Sequence, residues 1–248
     1  MPKDRPPQTP GVKMQYLIKR RPGPSREELI AHWFANHMPS VIARNEQSRA
    51  EGRLHATRYV ASLFDPDGAA PPAWDGVAQL WFETEPPRPA QASGTVPADS
   101  FQQKAEPYWP WATREWVVLD GRLPLEPLTL NPPFPCTRSG FVKQVSLVPA
   151  KPGADVAALF DHWLDVHAPN VLETMRKVGG FRYAVSLSLA PEQAPYAGMA
   201  ELYFPDTAAQ AAFWRTLQPD GFQQWADAEN TLRFRCGTEM VGIEAPQA

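Results

Sequence analysis

This sequence lacks most of the features that announce a reaction. Its only cysteines, Cys136 and Cys236, have no metal-ligand spacing and read as unrelated free thiols. There is no Gly-rich phosphate loop, no Cys/His cluster and no nucleophile elbow, which argues against nucleotide, zinc and serine-hydrolase chemistry. There is no basic excess either: 24 Lys and Arg stand against 27 Asp and Glu, a net charge of -3, so nucleic acid is not an expected partner. No stretch approaches the roughly 18 consecutive apolar residues of a membrane span. The polar, Pro-rich start from Met1 to Gly11 has no apolar centre of a secretory signal, and the cytoplasm is the expected compartment.

What the chain has in excess is proline and tryptophan. The 29 prolines crowd into Pro2 to Pro10, Pro66 to Pro97 and Pro124 to Pro135, segments expected to be loops, tails or linkers. Nine tryptophans are spread along the chain and suit a large aromatic-walled cavity as well as plain core packing. The 248 residues, 43% hydrophobic and 21% charged, suffice for two domains of similar size.

Those two domains are copies. Pro22, Gly23, Leu29, His32, Trp33, His37, Pro39 and Val41 recur, without a gap, as Pro152, Gly153, Leu159, His162, Trp163, His167, Pro169 and Val171. The first copy spans 13–121, after a flexible Pro-rich tail over 1–12, and the second spans 141–244, after a Pro-rich linker over 122–140. The first opens with an alternating strand, Met14 to Arg20. Ser25 and Glu28 then form a capping box for a helix whose apolar face carries Leu29, Trp33 and His37 until Pro39 ends it. Strands follow at Ala56 to Phe64 and Gly76 to Phe82. The second helical region is broken by Pro86, Pro87, Pro89 and Pro97, and a last strand runs from Arg114 to Asp120. The second copy keeps the order with its second helix intact, Asp206 to Leu217, and Phe222-Gln223-Gln224 repeats Phe101-Gln102-Gln103.

Each copy therefore reads β-α-β-β-α-β, a ferredoxin-like unit with helices on one face of an antiparallel sheet. The other face needs a cover, and the second copy is the obvious one. The expected fold is α+β: two ferredoxin-like βαββαβ repeats whose antiparallel sheets form an intrachain pseudo-dimeric α+β barrel. Further dimerisation through outer surfaces is left open.

Four of the five histidines lie on the two equivalent helices, five residues apart. At about 100° per residue they stand roughly 140° apart around the helix, a poor metal chelate. His37 and His167 follow Trp33 and Trp163 by four residues on the apolar stripe. A helix end favours the charged ring and burial the neutral one, so each reads as an acid or base or as a buried structural histidine. Glu201, on its strand face with Met199 and Tyr203, is the expected partner of His167 or a solvated edge carboxylate. Its counterpart in the first copy is Gln79, which can hold a ring but not compensate its charge. Tyr183 and Tyr59 are matched tyrosines, either donors to a substrate oxygen or core residues, and His55 is an extra histidine in the first copy or a turn residue. Which copy is live stays open.

The opening Tyr16-Leu17-Ile18-Lys19-Arg20-Arg21-Pro22-Gly23, the stretch Ser25-Arg26-Glu27-Glu28-Leu29, the His-Trp-x-x-x-His-x-Pro helix and the strand Ala200-Glu201-Leu202-Tyr203-Phe204 resemble the EthD family of the dimeric α+β barrel superfamily. The resemblance covers most of both copies and implies that a histidine at His37 and His167 moves protons in a mostly apolar pocket. It names no reaction, since relatives include isomerases, cyclases, decarboxylases, monooxygenases and haem-binding enzymes. The expected function is a cofactor-independent lyase, isomerase, cyclase or dehydratase acting on a hydrophobic aromatic or polyketide-like carbonyl compound. His167, Glu201 and Tyr183 would carry it, with His37, Tyr59 and His55 as the analogous set. The alternative is a non-catalytic small-molecule or haem-binding accessory protein.

Overall fold

The computed structural model describes residues 5–66, 72–121 and 130–244. Residues 122–129 of the expected linker and 1–4 of the expected tail lie outside them. The elements follow the order read from the sequence, with β1 at Val12–Ile18, α1 at Arg26–His32, α2 at Met38–Ala50, β2 at Ala56–Leu63, β3 at Gly76–Phe82 and β4 at Trp111–Asp120. The second repeat contributes β5 at Cys136–Val148, α3 at Val156–His162, α4 at Ala168–Lys177, β6 at Arg182–Ser188, β7 at Gly198–Phe204, α5 at Thr207–Thr216 and β8 at Leu232–Ile243. The capping box forms: Glu28 N donates to Ser25 Oγ at 3.1 Å and Ser25 N to Glu28 Oε2 at 2.8 Å. Between β3 and β4, where the first repeat loses its second helix to proline, the described chain runs through bends and turns.

Hydrogen bonding orders the strands in two runs, β1-β3-β2-β8 and β5-β7-β6-β4. The fold is the expected α+β class on antiparallel sheets, with the second repeat βαββαβ and the first lacking the helix before its last strand. The chain divides into two compact units, and they are not the two repeats. One comprises Met1–Pro10, Thr113–Leu125 and Gly140–Gly237, the other Gly11–Ala112, Glu126–Ser139 and Thr238–Ala248. In the first of these, β4 from the first repeat pairs antiparallel with β6, Thr113 opposite Ser188 through Asp120 opposite Arg182. In the other, the end of β8 from the second repeat pairs with β2, Leu63 opposite Thr238 and Val60 opposite Val241. Each repeat thus gives its last strand to the sheet that begins with the other.

Two expectations need correction. The tail over 1–12 is not free over its described part. Val117 N donates to the Pro7 carbonyl at 3.1 Å and Thr9 N to that of Glu115 at 2.8 Å, so the segment runs along β4. Arg5 adds two 2.6 Å hydrogen bonds to Asp165 and one of 2.7 Å to Asp161. Nor do Pro39 and Pro169 end their helices. In each repeat a π-helical turn, Trp33–His37 or Trp163–His167, joins α1 to α2 or α3 to α4. Met38 N donates to the Trp33 carbonyl and Ala168 N to that of Trp163, both five residues back. A proline in a regular helix leaves one carbonyl unbonded and strikes it with its ring; the wider turn ahead of each proline absorbs that conflict and lets the helix continue.

Both repeats pack helices on one face of the sheet, Trp33 against the face with Tyr59, Ala78 and Leu80 in one and Trp163 against the face with Tyr183, Ala200 and Leu202 in the other. Alternation sends Gln79 and Glu201 to the opposite face. No helix among the described residues is long and apolar enough to cross a membrane.

Candidate functional site

The second repeat holds a cavity of about 440 Å³ between its sheet and its helices. Ser146 and Val148 of β5, Ala200 and Leu202 of β7 and Tyr183 of β6 form one wall; Trp163 and His167 of the π turn and Phe213 of α5 face them. Asp220 and Phe222, on the segment after α5, complete it.

His167 Nδ1 donates to Asp220 Oδ2 at 2.8 Å, and the Phe222 ring stacks on the imidazole at 4.2 Å and 9°. Gly221, at φ +87, turns the chain between these two residues so that one meets the edge of the ring and the other its face. Asn170 Nδ2 and the Phe222 amide also donate to Asp220, at 2.8 and 3.1 Å. Burial by itself would raise the Asp220 carboxyl; the hydrogen bonds from His167 and Asn170 outweigh it and hold the group well below the usual carboxylate range. An ionised Asp220 accepts only, so the shared proton sits on Nδ1 and the neutral ring keeps its lone pair on Nε2. Nε2 has no hydrogen-bond partner among the described residues.

The π turn also overturns the expectation that the paired histidines point apart. His162 Nε2 lies 3.7 Å from Asp220 Oδ1, so residues five apart converge on one carboxylate. His162 lies tilted against the Trp225 ring at 4.8 Å, a supporting position behind His167.

Tyr183 is buried, and burial pushes its hydroxyl well above the ordinary value. At neutral pH it is a donor. Neither Tyr183 OH nor Trp163 Nε1 has a hydrogen-bond partner among the described residues, although both side chains line the cavity. Two buried donors without acceptors are costly in a folded protein unless a bound group supplies one.

Glu201 is not the partner of His167. It faces away from the cavity, where its Oε1 meets Lys143 Nζ at 2.7 Å, both side chains buried, and Lys143 lies over the Tyr203 ring at 4.8 Å. His55 is also outside any such constellation. It sits on the turn ahead of β2 with Nδ1 against the Arg53 carbonyl at 2.9 Å.

The first repeat keeps the same pair in a packed setting. His37 Nδ1 meets Asp99 Oδ2 at 2.6 Å, and Phe101 lies against the ring at 4.5 Å. There Trp33 Nε1 does donate to Tyr59 OH, at 3.3 Å. Tyr16, which aligns with Ser146, packs edge-on to Tyr108 at 6.0 Å, and Gln102 Nε2 donates to the Tyr108 hydroxyl at 3.2 Å. The aspartates are what reading the sequence missed, yet the signal was there: Asp-x-Phe-Gln-Gln occurs in both repeats, as Asp99 to Gln103 and Asp220 to Gln224.

The sequence model of the EthD domain matches residues 151–230, the stretch that holds His167, Asp220 and most of the cavity wall. Comparison with curated proteins gave no match. Among solved structures, an anthrone oxidase-like protein is similar over 96% of this chain and 95% of its own, at 11% identity and a TM-score of 0.53, a likeness of fold. Chlorite dismutase from Candidatus Nitrospira defluvii aligns over 92% of this chain and 91% of its own, at 9% identity and TM-score 0.46. A heme-binding protein from Thermus thermophilus aligns over 95% and 94%, at 11% identity and TM-score 0.42. The EthD match thus falls within the second repeat, and the likeness of fold to the anthrone oxidase-like protein extends over both repeats.

Proposed function

We propose that the second repeat is a cofactor-independent acid-base catalyst acting on an apolar carbonyl compound, aromatic or polyketide-like. The observation that carries this reading is His167 backed by Asp220, its free Nε2 beside a cavity that also presents two unpaired donors. Nε2 takes a proton from the carbon next to the substrate carbonyl. Tyr183 OH and Trp163 Nε1 donate to the carbonyl oxygen as it gains enolate charge, which lowers the barrier most where water is excluded. Asp220 stabilises the imidazolium that forms, and that ring then returns the proton to another carbon or to a leaving group. Isomerisation, cyclisation and dehydration share this first step, and decarboxylation can use the same donors.

Proton abstraction can be measured before the substrate is known. A panel of aromatic and polyketide-like ketones incubated with the protein in D2O, followed by NMR, should show α-proton exchange for at least one class. His167→Ala should slow it by about 10²–10⁴-fold with the fold intact. Exchange that survives in His167→Ala but disappears in His37→Ala would transfer the reaction to the first repeat. A Soret band in the purified protein, lost with His167, would instead favour the haem-binding accessory role, since a carboxylate-backed imidazole also suits a metal.

A further inference from the structure

The cavity of the second repeat is apolar within and charged at its edge. Arg233, near the start of β8, lines it together with Trp214 of α5, and its guanidinium lies over the Trp214 ring at 5.4 Å. Both side chains are exposed. Elsewhere in the lining, the charge of Asp220 is taken up by His167 and Asn170. Arg233 has no such counterpart: no carboxylate among the described residues pairs with it. A guanidinium held over an indole loses less freedom when an anion arrives than one free in solvent.

We infer that the ligand of this cavity is an amphipathic acid, an aromatic body that enters between sheet and helices and an anionic group, of the carboxylate kind, that stays at the rim on Arg233. The inference rests on the reading of this cavity as the substrate site, and it narrows the substrate class from apolar carbonyl compounds to those that also carry an acid. It does not depend on His167 turning anything over.

The test is therefore one of binding alone. The fluorescent probe 1-anilinonaphthalene-8-sulfonate and its uncharged parent N-phenyl-1-naphthylamine share a ring body and differ in the anion. Wild-type protein should bind the sulfonate more tightly at low salt, and added salt should remove the preference. Arg233→Gln should weaken the sulfonate by about fivefold, the upper range for an exposed ion pair, and leave the neutral parent unchanged. Arg233→Lys should restore part of the loss. Ser146→Tyr, which places the first repeat's residue in the cavity, should weaken both probes. Equal weakening of both by Arg233→Gln would make Arg233 a packing residue and overturn the inference. So would no change in either, or sulfonate binding that is indifferent to Ser146→Tyr. In each of those outcomes the proton-exchange measurement with His167→Ala still decides the acid-base reading separately.

Discussion

Asp220 holds His167 by its Nδ1 at 2.8 Å while taking two further donors, so its negative charge is a fixed part of the folded state. In the fold its carboxyl lies below its ordinary value, whereas an unfolded chain returns it to about 3.9. Between those two values the unfolded state binds the extra proton, and stability rises with pH. The contribution is fully present above about pH 5 and is lost as pH falls through the folded value. Asp220→Asn should thus flatten the acid side of the melting temperature against pH, with wild type and variant converging at low pH. Parallel curves would show that the pair contributes no linked stability. In proton exchange the same variant should fall by about tenfold or more, since an amide can orient the ring but cannot compensate imidazolium.

Glu201 and Lys143 form a buried pair on the far face of the sheet. Glu201→Gln keeps the shape and removes a negative charge from beside a buried cation, which is expected to cost about 3 kcal/mol. Chemical denaturation should register that loss, with proton exchange per folded molecule unchanged. A stable variant with impaired exchange would restore Glu201 to the reaction.

The repeat, its element order and the broken second helix could be read from the sequence because periodicity, capping residues and proline act locally. Gly76–Phe82 and Gly198–Phe204 are strands with the expected bounds. Strand exchange was not legible, since pairing β4 with β6 depends on contacts far apart in the chain. The π turns were hidden for a related reason. His-Trp-x-x-x-His-x-Pro fits a regular helix ended by proline equally well, and only the continuing helix shows the wider turn. Glu201 is the acid on a strand beside the helix, but alternation places it on the wrong face. Asp220 lies in a loop after α5, where spacing alone gives no direction for a side chain, and comparing the two repeats position by position is what reveals it.

Arg5 spans Asp161 and Asp165, on either side of the start of the π turn that carries His167. Its guanidinium and both acids are partly exposed, so the network should be worth about 1 kcal/mol at most, despite its two-pronged contact with Asp165. A double-mutant cycle on Arg5→Ala and Asp165→Asn should give a coupling of that size, shrinking with salt. Removing residues 1–10 should cost more, because the amides of Thr9 and Val117 lose their partners along β4. A truncated chain that melts like wild type would return this segment to the status of a loose tail.

His37 and His167 occupy equivalent positions and should nonetheless fail in different ways. His37 is more deeply packed, against Phe101 and Asp99, in a core that also holds Tyr108, while His167 faces a cavity. His37→Ala leaves a shielded carboxylate without its ring partner and should cost about 1–3 kcal/mol, with ligand stoichiometry unaltered. His167→Ala should change melting less, since its ring is less packed and Asp220 keeps Asn170 and the Phe222 amide, and should slow proton exchange by about 10²–10⁴-fold. The asymmetry has a volumetric origin, since Tyr16 fills in one repeat what Ser146 leaves open in the other. Calorimetry with an aromatic acid should accordingly find one site per chain. Two equivalent sites, or a His37→Ala variant that folds as well as wild type and loses exchange, would show that the packed repeat opens in solution and takes part in the reaction.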